Sequence, residues 1–356
     1  MKPLATALVD TFNHERYIEQ ALVSVLEQGL SLSELEIVVV DDGSTDRTPE
    51  IIRKFLPRVK YLRKKNGGQA SAFNAAFQEV SGEIVAILDG DDWWAKEKLT
   101  TVIDDLERTP EISAVSHALY KFYEATNQLK VFGPPVTTFV NLATPEAARA
   151  ARYEWAYLPS SALTVRRKVL ERVMPIPEVL VFSADSPIAV ASMAMGVRVL
   201  PQPLSYYRFH SQNLWAMSSE DPAKLQRRYE MDETMCRLLS PMLLRLGVPS
   251  ECISALLDPF WIAIHRHKLR TFGGSRFKTF RTEIQAFRLA YKNPSFGYRL
   301  FKYLLMLPAT LVLPPRRFYE LRDWYAERNL GRFRDWLGRT DTADPRASTS
   351  LGRQYE

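Results

Sequence analysis

Four short apolar runs recur in the N-terminal part of the chain, each ending in a polar turn. Leu4 to Val9, Glu36 to Val40, Val59 to Leu62 and Glu83 to Leu88 have the length and β-branched content of buried strands. Between them the apolar spacing changes to that of a helix. Ile18, Ala21, Leu22, Val25 and Leu26 share one face, with Gly29 as a stop. Ile51, Ile52 and Phe55 follow Thr48 as N-cap and Pro49 in the first turn. A third helix is expected from Gln69 to about Val80, after the loop Asn66-Gly67-Gly68. This alternation predicts an α/β fold with a mainly parallel sheet flanked by helices. Ligands of such sheets bind beyond the carboxyl ends of the strands, so loops 10–13, 41–46, 66–68 and 89–92 are expected to meet in one crevice.

The middle of the chain is less regular. Ile112 to Tyr123 and Leu129 to Phe132 alternate like a hairpin around Thr126-Asn127-Gln128, and Thr144-Pro145-Glu146 opens a short helix. Arg167 to Val173 reads as helix. So does Ala184 to Met195, interrupted early by Pro187. Val197 to Leu200 and Leu204 to Phe209 read as two strands. From Asp221 the pattern is helical and strand-free. The expected division is a catalytic domain over 1–218, a helical domain over 219–339 and a polar, disordered tail over 340–356.

The fourth strand ends in Asp89-Gly90-Asp91-Asp92. Carboxylates crowded at a strand end repel one another unless a cation sits among them, and a hard divalent ion such as Mg²⁺ or Mn²⁺ brings a substrate phosphate with it. The bland alternative is an acidic turn capping a helix that begins near Trp94. Asp41-Asp42-Gly43 reads equally as a capped turn. Neither a G-x-G-x-x-G fingerprint nor a G-x-x-x-x-G-K-[ST] loop is present, which removes the two commonest nucleotide cradles.

Composition narrows the class further. The 356 residues are 46% hydrophobic and 25% charged, enough for an ordinary core, with a net charge of +6 and Arg and Lys denser after residue 265. That density suits anionic nucleotide-sugars or an anionic membrane surface; without interleaved aromatic and basic residues, nucleic acid ranks last. Cys236 and Cys252 are the only cysteines, which excludes a disulfide framework and a cysteine-rich zinc site and fits a reduced, cytosolic setting. Met1 leads directly into a strand-like run without a signal-peptide core, and the longest apolar run, Leu304 to Leu313, is short and broken by Pro308.

Several stretches, in order and at the expected spacings over roughly residues 4 to 215, together resemble the family 2 glycosyltransferases of the GT-A (Rossmann-like) fold. They are Thr11-Phe12-Asn13, Asp41-Asp42-Gly43-Ser44-Thr45-Asp46, Asn66-Gly67-Gly68 with Asn74, and Leu88-Asp89-Gly90-Asp91-Asp92-Trp93-Trp94. Pro159-Ser160-Ser161-Ala162-Leu163 and Tyr207-Arg208-Phe209-His210-Ser211-Gln212-Asn213 complete the set. The resemblance implies inverting transfer of a sugar from a nucleoside-diphosphate donor, a UDP-sugar by family frequency, to a hydroxyl. It implies that Asp42 bonds the nucleobase with Thr11 lining the pocket, and that Asn13, Asn66 and Gly67 belong to the donor site. It also implies that Asp89 and Asp91 form a D-x-D pair, with Asp91 as the direct metal ligand and Asp89 nearer the ribose. His210 falls where the family often supplies a further ligand, which suits Mn²⁺ over Mg²⁺. Asp185 takes the place of the base that deprotonates the acceptor. Two departures bear on the acceptor side: Ala184 stands where the family often has glutamate, and Asp10 where it usually has proline. Taken alone, Asp185 reads as a helix N-cap.

The C-terminal region has two readings. Phe301 to Leu307 and Leu311 to Leu313 are flanked by Arg316, Arg317 and Arg322, with Tyr303, Phe318, Tyr319 and Trp324 nearby, a composition that suits helices lying in a membrane interface. That reading makes the protein peripheral on the inner face of the cell membrane, with a polyprenyl-linked glycan as acceptor. The other packs the same residues onto the catalytic domain or onto a second copy in a homodimer. Outside this family, a sugar nucleotidyltransferase or a non-catalytic nucleotide-binding scaffold shares the layered architecture.

Overall fold

The computed structural model describes residues 2–210, 222–291 and 306–322. The expected boundary near 218, Ser211 to Asn213, Phe301 to Leu305, Trp324 and the tail over 340–356 lie outside the described residues. The chain divides into two compact units, Met1–Ser219 with Arg237–Ile253, and Glu220–Cys236 with Ser254–Glu356.

The first unit opens with the expected alternation: β1 (Ala5–Thr11), α1 (Ile18–Leu26), β2 (Leu35–Asp41), α2 (Thr48–Arg53), β3 (Lys60–Arg63), α3 (Gln69–Phe77) and β4 (Ile84–Asp89). It continues with β5 (Trp93–Trp94), α4 (Lys98–Arg108), β6 (Ala114–Tyr123), β7 (Gln128–Phe132), β8 (Thr138–Val140), α5 (Pro145–Glu154), β9 (Thr164–Arg166), α6 (Arg167–Val173), α7 (Asp185–Met195) and β10 (Val197–Phe209). One mixed sheet runs β3-β2-β1-β4-β9-β6-β10-β5, with β7 on β6 and β8 on β10. Strands β1 to β4 are parallel to one another, β9 runs against β4 and β6, and β10 is parallel to β6. The carboxyl ends of β1, β2, β4, β6 and β10 therefore share one edge. Val9, Val39, Ala86 and Leu88 of the central strands pack with Ile18, Leu22 and Val25 of α1 and with Leu99, Val102 and Leu106 of α4 in one apolar core. That burial holds the strand ends at fixed spacing.

Four local expectations are corrected. Trp93 and Trp94 form an edge strand on Tyr206 and Ser205 rather than a helix start, and α4 begins at Lys98. Thr48 does not cap α2; its hydroxyl accepts from the His14 amide at 2.9 Å. Pro187 does not interrupt α7, because in the first turn its missing N–H has no helical partner to lose. Val197 to Phe209 is one strand, bulged between Leu200 and Ser205 where Pro201 and Pro203 withhold donors.

Among the described residues the second unit is helical: α8 (Pro222–Arg245) as far as Cys236, α9 (Ser250–Phe272) from Ser254, and α10 (Arg276–Tyr291). Its interior holds an ion pair: Arg266 grips both oxygens of Glu283 at 2.8 and 2.7 Å, and Tyr319 donates to the same carboxylate at 3.2 Å. Phe318 and Tyr319 are buried with Leu269, so neither is available as the membrane-facing aromatic expected from the sequence. Among the described residues no helix is long and apolar enough to cross a membrane.

Candidate active site

The strand register brings the candidate residues together. Asp10 lies opposite Asp89 across β1 and β4, and Thr11 lies opposite Asp41 across β1 and β2. Gly90 allows the closest approach: a Cβ there would sit 2.6 Å from the Thr11 hydroxyl and 2.9 Å from His14 Nδ1. The loop after β4 thus lies directly on the loop after β1, and only glycine fits between them.

The carboxylates of this cluster differ in how they are held. Asp92 is fully buried, accepting from Ser161 Oγ at 2.6 Å and from the Arg208 amide at 2.8 Å; burial, then Asp91 and Asp89, push its carboxyl well above the ordinary value. Asp89 accepts from Ser160 Oγ at 2.7 Å, and its buried Oδ1 meets no basic or neutral donor. Burial first, then the charge of Asp91, raise its carboxyl to about 7. Asp10 faces it with its Oδ1 likewise buried; burial first, then the charge of Asp89 and a carboxyl–carboxyl hydrogen bond with it, hold the Asp10 carboxyl well above the ordinary value. Two carboxylates in this position need a shared proton or a shared cation. Burial alone would also raise Asp91, but His14 and His210, whose Nε2 atoms lie 3.9 and 3.0 Å from its Oδ2, pull it below the ordinary value.

Oxygens of Asp89, Asp91 and Asp92 lie within 4.8 Å of one another. These three are close enough to share a divalent cation; His210 Nε2 lies beside them, 3.0 Å from Asp91 Oδ2, and both oxygens of Asp92 are already engaged by Ser161 and the Arg208 amide.

Asp185 begins α7 and joins the same cluster. Its Oδ2 accepts from the Ser160 amide at 3.2 Å, and burial raises its carboxyl to about 6. The N-cap of this helix is Ala184, which has no side-chain acceptor; the Asp185 carboxylate also accepts from its own amide and from that of Ser186, so it caps the first turn as well as joining the cluster. Tyr207, raised well above its usual value by burial and then by Asp92, Asp91, Asp89 and Asp185, presents a protonated phenol to the same group of acids.

The other acidic loop is organised differently. Asp42 accepts from Lys64 Nζ at 2.7 Å, from the Gly67 amide at 3.0 and 3.1 Å, and from the Gly68 amide at 2.7 Å. Asp41 accepts from Tyr61 and from the Ser44 amide. Asn13, at φ 57°, accepts from the Thr45 amide at 2.8 Å and donates its own amide to Ser44 Oγ. Thr11 is buried, with its hydroxyl 3.2 Å from His14 Nδ1. Asn66 is exposed, and its backbone lies against Gly43. The candidate donor residues therefore share one crevice, but Asp42 and Asn13 are engaged in holding loops to each other.

Residues without a role in the sequence reading complete the site. His14 is one flank of Asp91. Ser160 joins Asp89 to Asp185, and Ser161 holds Asp92 while its carbonyl accepts from Trp94 and Ser205. Arg208 donates to the Asp91 carbonyl at 2.8 Å and lies over the rings of Trp93 and Tyr17. The Pro159–Leu163 stretch was the available signal for Ser160 and Ser161, and the Tyr207–Asn213 stretch for Arg208; His14 needed the fold.

Residues 6–174 match the family described as Glycosyl transferase family 2. The chain is 32% identical over 255 residues to the uncharacterized glycosyltransferase alr2836 of Nostoc sp. (strain PCC 7120), covering 68% of this chain and 76% of that one. It is 27% identical over 252 residues to the uncharacterized glycosyltransferase EpsJ of Bacillus subtilis (strain 168), covering 65% and 69%. Among solved structures, S. aureus TarS 1-349 matches with a TM-score of 0.56 at 20% identity, over 80% of this chain and 83% of that one. The same fragment in complex with UDP-GlcNAc matches at 0.52 with 20% identity, over 80% and 84%. At that identity the likeness establishes a shared GT-A fold.

Proposed function

The chain belongs to glycosyl transferase family 2, and on that premise we propose that it moves a sugar from a UDP-sugar to an acceptor hydroxyl with inversion at the anomeric carbon. It is a glycosyltransferase; donor, acceptor and stereochemistry are the parts proposed. The observation that carries them is the crowding of carboxylates at the ends of β1 and β4, where Asp10 and Asp89 meet no basic donor, with Asp185 beside them across Ser160. A uridine donor is favoured because the TarS fragment, of the same fold, is described in complex with UDP-GlcNAc.

Asp89, Asp91 and His210 would hold Mn²⁺ or Mg²⁺, which when bound offsets the charge of the departing diphosphate. Asp185 acts as general base: raised to about 6, it is ionised at neutral pH yet basic enough to draw a proton from a hydroxyl in the transition state. The Ser160 amide on Oδ2 orients that carboxylate. Arg208, on the Asp91 carbonyl, fixes the acidic loop. Asp42 shapes the donor pocket through the glycine loop 66–68. The acceptor class supported by the family is a glycan or polyprenyl-linked glycan, met at the inner membrane surface. Exposed Leu311 and Val312, near Arg316 and Arg317, support that peripheral contact.

UDP release from a panel of UDP-sugars, measured with Mn²⁺ and with EDTA, tests the proposal. Turnover should require the metal and fall about 10²–10⁴-fold in Asp185→Asn. Donor affinity should be retained in that variant. Full turnover in Asp185→Asn would remove the assignment.

A further inference from the structure

On the sheet face that carries Tyr207, β6 and β7 hold two lysines that the proposed chemistry does not use. Lys121 and Lys130 are directly opposed across the antiparallel pair. Like charges in that position destabilise a sheet unless an anion lies between them. Among the described residues neither lysine meets a carboxylate. Each instead rests on aromatic rings: Lys121 Nζ is 3.5 Å from the centroid of Phe132 and 5.9 Å from that of Phe209, and Lys130 Nζ is 5.5 Å from that of Tyr123. Tyr123 and Phe209 stack at 4.8 Å, closing the aromatic floor. Lys121 is half-buried, so its charge is partly stripped of water without a counter-ion.

The position ties this patch to the acceptor side. Lys121 is the register partner of Tyr207, the phenol that feels all four acids of the site. Lys121 feels none of them: burial alone lowers its ammonium to about 8. It therefore stands apart from the cation site and the diphosphate expected there. Phe132 packs on Tyr157 at 5.0 Å, and three residues further along the chain Ser160 holds Asp185. Three residues span at most about 11 Å. An extended acceptor bound over Lys121 would run past Tyr157 toward Ser160 and Asp185.

We propose that Lys121 and Lys130 form a phosphate-binding subsite, and that the acceptor carries a phosphate monoester or diester beside the hydroxyl that Asp185 deprotonates. The inference rests on the glycosyltransferase reading and adds the acceptor's chemical class. Rings under the ammonium groups hold them in place while leaving their donors for phosphate oxygens.

Two probes separate the sources of such a phosphate: soluble poly(glycerol phosphate), followed by calorimetry, and phosphatidylcholine vesicles with or without polyprenyl phosphate, followed by co-sedimentation. Wild-type protein should bind the soluble polymer or the phosphate-bearing vesicles, with affinity falling as salt rises. Lys121→Gln should weaken that binding roughly ten- to a hundredfold, Lys130→Gln should weaken it less, and Lys121→Arg should restore most of it. UDP with Mn²⁺ should raise the melting temperature of every variant as it does that of the wild type, which also reports folding. Binding to neither probe, equal binding in Lys121→Gln, or equal sedimentation with plain phosphatidylcholine would overturn the subsite and leave the glycosyltransferase reading standing. Loss of UDP stabilisation in the wild type would overturn both.

Discussion

The two acidic loops at the carboxyl edge of the sheet look alike in sequence and behave oppositely in the structure. In the loop after β2, the carboxylates of Asp41 and Asp42 are matched by donors: Tyr61, Ser44, Lys64 and the amides of Gly67 and Gly68. In the loop after β4, Asp89 and Asp10 meet no basic donor and are turned on each other, with His14 and His210 beside Asp91. The first loop spends its charge on holding the fold. The second crowds carboxylates together, the arrangement on which the proposed cation site rests. A buried carboxylate with its hydrogen bonds complete is part of the scaffold; one left short, in a cleft, marks chemistry.

The largest effect that sharpens this contrast is catalytic. Asp91→Ala should lower turnover about 10³-fold or more, with a smaller loss of melting temperature without ligand than Asp42→Ala, because the lost contacts with His14 and His210 are partly offset by relief of its repulsion of Asp89 and Asp92. Asp42→Ala should do the reverse, costing about 3 kcal/mol in a urea melt by leaving Lys64 and two amides unpaired. A stable, inactive Asp42→Ala would break the distinction. Next in size is the pH dependence. Because burial raises Asp185 to about 6, the proton stays on below that value, and turnover should fall about tenfold per unit there while levelling off above it.

The last effect concerns stability. Asp89 is raised from 3.8 to about 7, so ionising it in the folded protein costs stability that grows as pH rises through this window and is constant above it. Asp89→Asn without metal should therefore be more stable than wild type at pH 8, by up to about 4 kcal/mol at about 1.4 kcal/mol per unit of the rise, with no difference below pH 4. Equal stability at both would show that Asp89 is already compensated.

Much of the fold was legible because strand and helix periodicities alternate cleanly up to Leu88, and burial of Val39, Leu88 and Ile18 agrees with them. The failures were of partnership. Trp93-Trp94 reads as an entry to a helix until β10 offers an edge to pair with. Thr48 has the form of an N-cap, yet its hydroxyl serves His14 across a loop. Asp42, Asp91 and Asp185 were found by the family pattern, but which of them is satisfied depends on Lys64, His14, His210 and Ser160, brought close only by the sheet. His14 carries no local signal, and Arg208 stands in the Tyr207–Asn213 stretch without a role of its own: an imidazole in one loop and a guanidinium on a strand gain meaning only beside the Asp89–Asp92 turn.

The central claim is that the loop after β4 binds the donor diphosphate through a cation. Thermal unfolding of wild type and Asp91→Ala with UDP, with and without Mn²⁺, tests it directly. Saturating ligand at a hundredfold its Kd stabilises the native state by about 2.7 kcal/mol, a readily measured rise in Tm. The expected result is a rise with UDP that requires Mn²⁺ in the wild type and disappears in Asp91→Ala. A rise that is independent of Mn²⁺, or that survives in Asp91→Ala, would contradict it.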